Sequence, residues 1–264
     1  MCLIAFSYQQ HPSYDFIFIA NRDEFYGRPT RPAQFWEDHH SLLAGKDLKE
    51  GGTWMGITER GRFSALTNYR NPSTRKEDAP SRGHLVLDYL KGGNPPELYL
   101  RRLHPKADKY NGFNLLVGAP GNLMYYSNKS NQATALDAGL YGLSNDVLDT
   151  SWPKTKQAKQ QLSAVIQQDE DSIDKDALFE ILQNEKQAAD DQLPDTGIPK
   201  ELERAVSPIF IKTEKYGTRS STIVLISKEG EVTFEERRYK KEAPRLRTVT
   251  GMSSGLKSKY TLHP

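Results

Sequence analysis

"YDFIFIANRD", residues 14–23, is the stretch on which the fold turns. Its centre, Phe16 to Ala20, is apolar at every position. A strand with one wet face alternates apolar and polar residues, whereas an unbroken apolar run suits a strand covered on both sides. Working outward, "CLIAFSY" (2–8) reads as a first strand and "QQHPS" (9–13) as the turn between the two. "TWMGIT", "ERG" and "RFSALTN" (53–68) read as a hairpin, as do "GFNLLVGA", "PGN" and "LMYYSN" (112–128). Strands return in "RSSTIVLIS" (219–227) and "EVTFEERRY" (231–239), joined by "KEG".

Helical spacing interrupts the strands in the middle of the chain. "SRGHLVLDYLK" (81–91) is expected to start on Ser81 as its cap and is followed by "PPELYLRRL" (95–103). "SWPKTKQAKQQLSAVIQQ" (151–168) offers Ser151 as a cap with proline in the first turn, and "DKDALFEILQNE" (174–185) is a shorter helix. Strands, a helical block and strands again predict an α+β chain with packed sheets rather than alternating βαβ units. One domain over residues 1–264 is expected, with exposed loops at 75–83 and 188–199 and a poorly ordered tail from about 251 to 264.

Thirty-six Lys and Arg against 34 Asp and Glu leave a formal charge of +2, which argues against a nucleic-acid partner. No run is long enough to span a membrane, and "FIFIA" lacks the flanks of a secretory signal. A single cysteine excludes an intrachain disulfide and any multi-cysteine metal site, and points to a reducing, cytoplasmic setting. No metal is expected. Several short motifs carry little. "GMSSG" (251–255) has the nucleophile-elbow pattern, but only His263 and no acid follow it. "NKS" at Asn128 is a chance match to the glycosylation pattern, "DHH" (38–40) sets its histidines on opposite sides of a strand, and "RRLHPK" and "ERRYKK" read as solvated faces.

The lone cysteine stands at position 2, where chance would put it about once in 264 tries. It reads as a small apolar residue opening a buried strand, as part of a frayed terminus, or as a nucleophile. In the last case removal of Met1 makes the Cys2 α-amine, with a pKa of about 7.7–8.0, a general base for its own thiol. Four consecutive polar residues, Asn21 to Glu24, close the apolar strand. They read either as the chain leaving the core or as part of a site. Alternation sets Arg22 on the side of Phe16 and Phe18, with Asn21 and Asp23 on the other. A cation such as Arg22 favours a thiolate, and asparagine N–H groups at strand ends, as at Asn68 and Asn145, suit an oxyanion. Arg219 opens the late strand.

Cys2, the tetrad Asn21-Arg22-Asp23-Glu24 and "GGTWMGI" (51–57) resemble the NRDE family, also called the transport-and-Golgi-organisation-2 family. The resemblance covers most of the chain. It implies the fold of N-terminal nucleophile hydrolases, a four-layer αββα sandwich with two mostly antiparallel sheets packed face to face. More distantly, the chain resembles choloylglycine hydrolases and penicillin V acylases, which begin with cysteine after methionine and carry an Arg-Asn-x-Asp motif after the second strand. On that resemblance "ALTN" supplies an oxyanion residue at Asn68, "LSNDVLDTSW" a second at Asn145, and Arg219 stands for a late catalytic arginine. The tetrad here reads Asn-Arg-Asp-Glu, so Arg22 is one position removed from the hydrolase arginine, and a one-residue slip turns a strand side chain to the other face.

These readings imply a cysteine nucleophile that hydrolyses a non-peptide C–N amide bond. Cys2, Arg22, Asp23, Asn68, Asn145 and Arg219 are its expected site residues; no cofactor is expected, and the substrate is a small molecule with an acyl or other apolar group. The alternative is a carrier of haem or acyl lipid, since family members have been connected with haem and lipid trafficking. For haem, His84, His104, Tyr125 and Tyr126 are the available residues.

Overall fold

The computed structural model describes residues 3–239, and of residues 249–254 and 257–262 it describes the strand backbone. In the first part of the chain the strands are β1 (Leu3–Tyr8), β2 (Tyr14–Phe25), β3 (Thr30–Trp36), β4 (His39–Asp47), β5 (Met55–Thr58) and β6 (Phe63–Asn68). Then follow β7 (Phe113–Ala119), β8 (Asn122–Ser127), β9 (Gln132–Ala135) and β10 (Gly139–Leu143). The last four are β11 (Tyr216–Ser227), β12 (Val232–Arg238), β13 (Val249–Ser254) and β14 (Lys257–Leu262). The helices are α1 (Gly83–Lys91), α2 (Pro96–Leu103), α3 (Pro153–Ile166), α4 (Lys175–Leu182) and α5 (Lys200–Ala205).

These elements form two compact units. In the first, a seven-stranded antiparallel sheet runs β10-β1-β2-β11-β12-β13-β14. Its β1–β2 hairpin turns at Gln9, which adopts φ 53° and donates its N–H to the Asp15 carbonyl at 2.8 Å. β2 is apolar on both sides for a visible reason. Ile17 and Ile19 pack with Leu3, Ala5, Ile223 and Leu225 against Ala158 and Leu162 of α3 and Leu178 and Leu182 of α4. Phe16 and Phe18 lie on the opposite face, where they meet Phe6 at 5.7 and 6.4 Å between ring centroids. The strand does not leave the core at the polar tetrad. It stays paired with β11 as far as Phe25.

The second unit is an antiparallel sheet in the order β3-β4-β5-β6-β7-β8-β9. Leu42, Ala44, Leu66, Leu115, Val117 and Tyr126 bury one of its faces against Leu85, Val86, Tyr89 and Leu90 of α1 and Leu100 and Leu103 of α2. Gly45 lets β4 lie against Trp54, because a Cβ there would sit 2.3 Å from the indole. The β3–β4 hairpin has no counterpart in the sequence reading: Pro32 and the register shifts on both sides of Gln34 and Phe35 erase its alternation.

Two helix starts differ from expectation. The α1 cap is Arg82, in helical geometry, and Ser81 contributes only its carbonyl, to the His84 N–H at 3.3 Å. A close backbone approach sets that start: Thr53 N–H donates to the Gly83 carbonyl at 3.2 Å, and a Cβ on Gly52 would meet Gly83 backbone at 2.6 Å. The α3 cap is the buried Trp152, and Ser151 lies outside the helix. Pro153 occupies the first helical position, which makes the preceding residue the cap. α4 follows the rule, with Asp174 accepting from the Asp176 and Ala177 N–H groups. "ERRYKK" is not simply a solvated face either, because Glu236 is buried and Arg237 stacks 3.7 Å over Phe179. Among the described residues no helix is long and apolar enough to cross a membrane.

Candidate active site

The tetrad at the end of β2 divides between the two faces of its sheet. Asn21 is fully buried on the helix-covered face. Its Nδ2 donates to the Leu182 carbonyl at the end of α4 and to the Ile209 carbonyl, both at 2.8 Å. Its Oδ1 accepts from the Ser221 hydroxyl at 2.6 Å, and the Tyr239 hydroxyl donates to Ser221 at 3.1 Å. Asp23, two residues on and therefore on the same face, accepts from the Thr218 hydroxyl at 2.6 Å. Thr218 Oγ1 in turn accepts the Ile211 N–H at 2.9 Å. Asn21 and Asp23 thus tie β2 to β11, α4 and the segment that leads into β11.

Arg22 and Glu24 take the other face. Arg22 is 5% exposed, its guanidinium 3.7 Å from the Glu24 carboxylate. In the ladder Leu3 pairs with Asn21, and Ser220 with Arg22. Between Thr218 and Ser220 the register shifts, and Arg219 is the extra residue of that bulge. Its guanidinium donates to the Phe25 and Tyr26 carbonyls at 2.9 and 3.0 Å and holds the end of β2. Burial, and then the charge of Arg238, lower the Arg219 pKa.

Asn68 and Asn145 come together in the second unit. The Asn145 Nδ2 donates to the Asn68 main-chain carbonyl at 2.9 Å. Arg70 clamps Asn145 from the other side: its backbone N–H donates to the Asn145 carbonyl at 2.7 Å and its guanidinium to Oδ1 at 3.1 Å. The neighbouring Asp146 carbonyl accepts from buried Asn114, which also donates to the Thr67 hydroxyl and accepts from the Tyr125 hydroxyl. Burial, then the nearby Asp146 carboxylate, raise the Tyr69 pKa. Asn145 is 4% exposed and its amide is fixed in orientation. Asn68 is half-buried, and its side chain makes no hydrogen bond among the described residues. Two amides at the end of β6 therefore present one oriented and one uncommitted donor group.

Cys2 lies outside the described residues, as do His263 and the side chains of "GMSSG" and of most of the expected tail. His84 and His104 are exposed, the first bound to the Glu50 carbonyl at 2.8 Å and the second edge-on to Tyr126. The Tyr126 hydroxyl donates to Asn131 and the Tyr125 hydroxyl to Asn114, so of the residues named for haem His104 and Tyr126 are the pair seen in contact. A cleft of about 700 Å³ beside the start of α3 is lined by Lys154, Lys156 and Lys186, among others, and by none of the expected site residues.

Sequence reasoning named Asn21 within the tetrad but not as a site residue, and passed over Ser221, Thr218, Arg70 and Arg238. Arg70 stands two residues beyond Asn68, just past the quoted strand end. The partners of Asn21 lie 161 to 200 residues away, which no local pattern reveals.

Comparison with known proteins places the chain in a family and gives its fold counterparts. The family model described as Transport and Golgi organisation 2 matches residues 1–241. The Transport and Golgi organization 2 homolog of Mus musculus is 37% identical over 261 residues, covering 90% of this chain and 92% of that protein. The Drosophila melanogaster protein of the same name is 29% identical over 259 residues, covering 89% and 91%. Among solved structures, two variants of the conjugated bile acid hydrolase of Clostridium perfringens, one arginine-to-leucine and one cysteine-to-alanine, each superpose with a TM-score of 0.54. They are 12% and 11% identical to this chain and cover all of it and 97% of their own. At such identity the likeness shows the fold alone, an α+β chain with antiparallel sheets like that of the bile acid hydrolase, as the motif resemblance implied.

Proposed function

From the premise that the chain belongs to the Transport and Golgi organisation 2 family and has a hydrolase-like fold, we propose that it is a cysteine N-terminal nucleophile hydrolase acting on a non-peptide C–N amide bond. One observation carries the reading. Arg22 is a buried cation beside the place where β1 begins, on the face opposite the structural pair Asn21 and Asp23. The reading requires Cys2 to continue the β1–β2 pairing by one residue, since Leu3 opposes Asn21 and the next residue along β2 is Arg22. There a guanidinium favours the thiolate.

In the proposed cycle Met1 is removed, and the Cys2 α-amine takes the proton from its thiol. The sulfur attacks the amide carbonyl carbon. Negative charge on the carbonyl oxygen is met by the side-chain N–H groups of Asn68 and Asn145. The C–N bond breaks as the amine leaves with the proton, and a thioester remains on Cys2. Water, deprotonated by the same α-amine, releases the acid and restores the thiol. Asp23 and Arg219 act as positioning residues, holding the end of β2 through Thr218 and the Phe25 and Tyr26 carbonyls.

Intact mass spectrometry with and without a thiol-directed acylating probe tests the reading. A chain that begins at Cys2, labelled once, with labelling abolished in Cys2→Ala, is the expected result. A chain that retains Met1 and resists the probe overturns it.

A further inference from the structure

The ladder sets Arg22, Ser220 and Arg238 in one row, because Arg22 opposes Ser220 and Ser220 opposes Arg238. Directly opposed residues of an antiparallel ladder share a face. Arg22 and Ser220 are buried and Arg238 is half-buried. The acidic groups on this face are Glu24, 3.7 Å from Arg22, and buried Glu236, two residues before Arg238 on β12. The Arg238 side chain makes no hydrogen bond or ion pair among the described residues, although a guanidinium carries five donors. Its charge bears on Arg219, another arginine, where the Glu24 carboxylate acts in the opposite sense. Three arginines, Arg22, Arg219 and Arg238, thus lie close together at this end of the sheet, and such a concentration of guanidinium donors suits an anion.

We propose that Arg238, with Arg219 beside it, docks an oxyanion group, carboxylate or phosphate, of the acyl compound that occupies the Arg22 face. The proposal rests on the reading of that face as the substrate site. It makes the ligand an amphiphile: an apolar acyl chain with an anionic group a short distance from the bond to be cut. The fork of donors on Arg238 suits two oxygens of one group at once.

The test reads binding rather than turnover, in the full-length protein carrying Cys2→Ala. Three probes are compared by calorimetry at low salt and below their micelle concentrations: N-decanoylglycine, decyl phosphate and the uncharged N-decanoylethanolamine. The expected result is that at least one anionic probe binds about tenfold tighter than the uncharged one. Arg238→Gln abolishes this advantage and Arg238→Lys keeps part of it, and neither change lowers the melting temperature, because the Arg238 side chain bonds to none of the described residues. The favoured anion identifies the group. Equal affinity for all three, binding of none, or a preference that survives Arg238→Gln overturns the proposal. If the anion preference stands while the unmutated protein neither labels at Cys2 nor releases product, the hydrolase reading fails and the docking point remains.

Discussion

Asn21 in the first unit and Asn68 in the second are the same side chain at the polar end of an apolar strand, and they are used in opposite ways. Asn21 is fully buried and spends its amide on Leu182, Ile209 and Ser221. Asn68 is half-buried and spends its side chain on none of the described residues, while its backbone is held by Phe113 and by the Asn145 amide. An amide with every hydrogen bond made is a bolt, and its removal is felt in stability. An amide fixed at its backbone with donors to spare is a tool, and its removal is felt in chemistry. Substitution at the two positions separates these roles.

The largest effect is expected from Asn21→Asp. It removes both N–H donors and sets an unpaired carboxylate against two carbonyls, so urea unfolding should show a loss of about 4 kcal/mol. A loss below about 1 kcal/mol would break the contrast. Next comes Asn68→Ala, which should lower turnover of an amide substrate by about 10² to 10³ while leaving the urea midpoint in place. A matching loss of stability would make Asn68 a second bolt. Arg70→Ala is smaller: one side-chain bond to Asn145 goes and the backbone bond stays, for about 1 kcal/mol in the same unfolding assay.

The smallest effect concerns Asp190, exposed and held below the ordinary aspartate range chiefly by its hydrogen bond with Arg204. A depressed carboxyl stabilises the fold above its unfolded pKa, and that contribution disappears as pH falls through the folded value. Asp190→Asn should therefore fall slightly behind the unmodified chain above the ordinary aspartate pKa of about 3.9 and draw level with it as pH falls through the lowered folded value. A difference that widens toward acid pH would contradict the pairing.

Much of the architecture was legible because it is local. The apolar run Phe16–Ala20 announced a strand covered on both sides, and alternation correctly put Arg22 on the side of Phe16 and Phe18. The two hairpins at 53–68 and 112–128 and the helices α1 to α4 followed from turn residues and spacing. What failed depended on contacts distant in sequence. Ser81 lost its capping place to a backbone approach by Gly52 and Thr53, and the tetrad stayed in the sheet because β11 pairs with it. The candidate site was legible as residue types, and Asn68 and Asn145 do meet. The division of labour within the tetrad was not, since α4, Ile209 and Ser221 decide it. Arg238 was hidden in a charged run that resembled ordinary surface.

The bulge at Arg219 re-phases everything that follows it on β11. Thr218 and Ser221, three residues apart, serve the same side of the sheet, where an unbroken strand would have turned them apart. A substitution scan along β11 should therefore show a two-residue rhythm of tolerance from Ser220 to Ile226, one skipped beat at 219, and the opposite rhythm before it. Deleting residue 219 would restore a regular strand and give every side chain on the near end of β11 the wrong neighbour, so in evolutionary terms the position is far freer to change its identity than its existence.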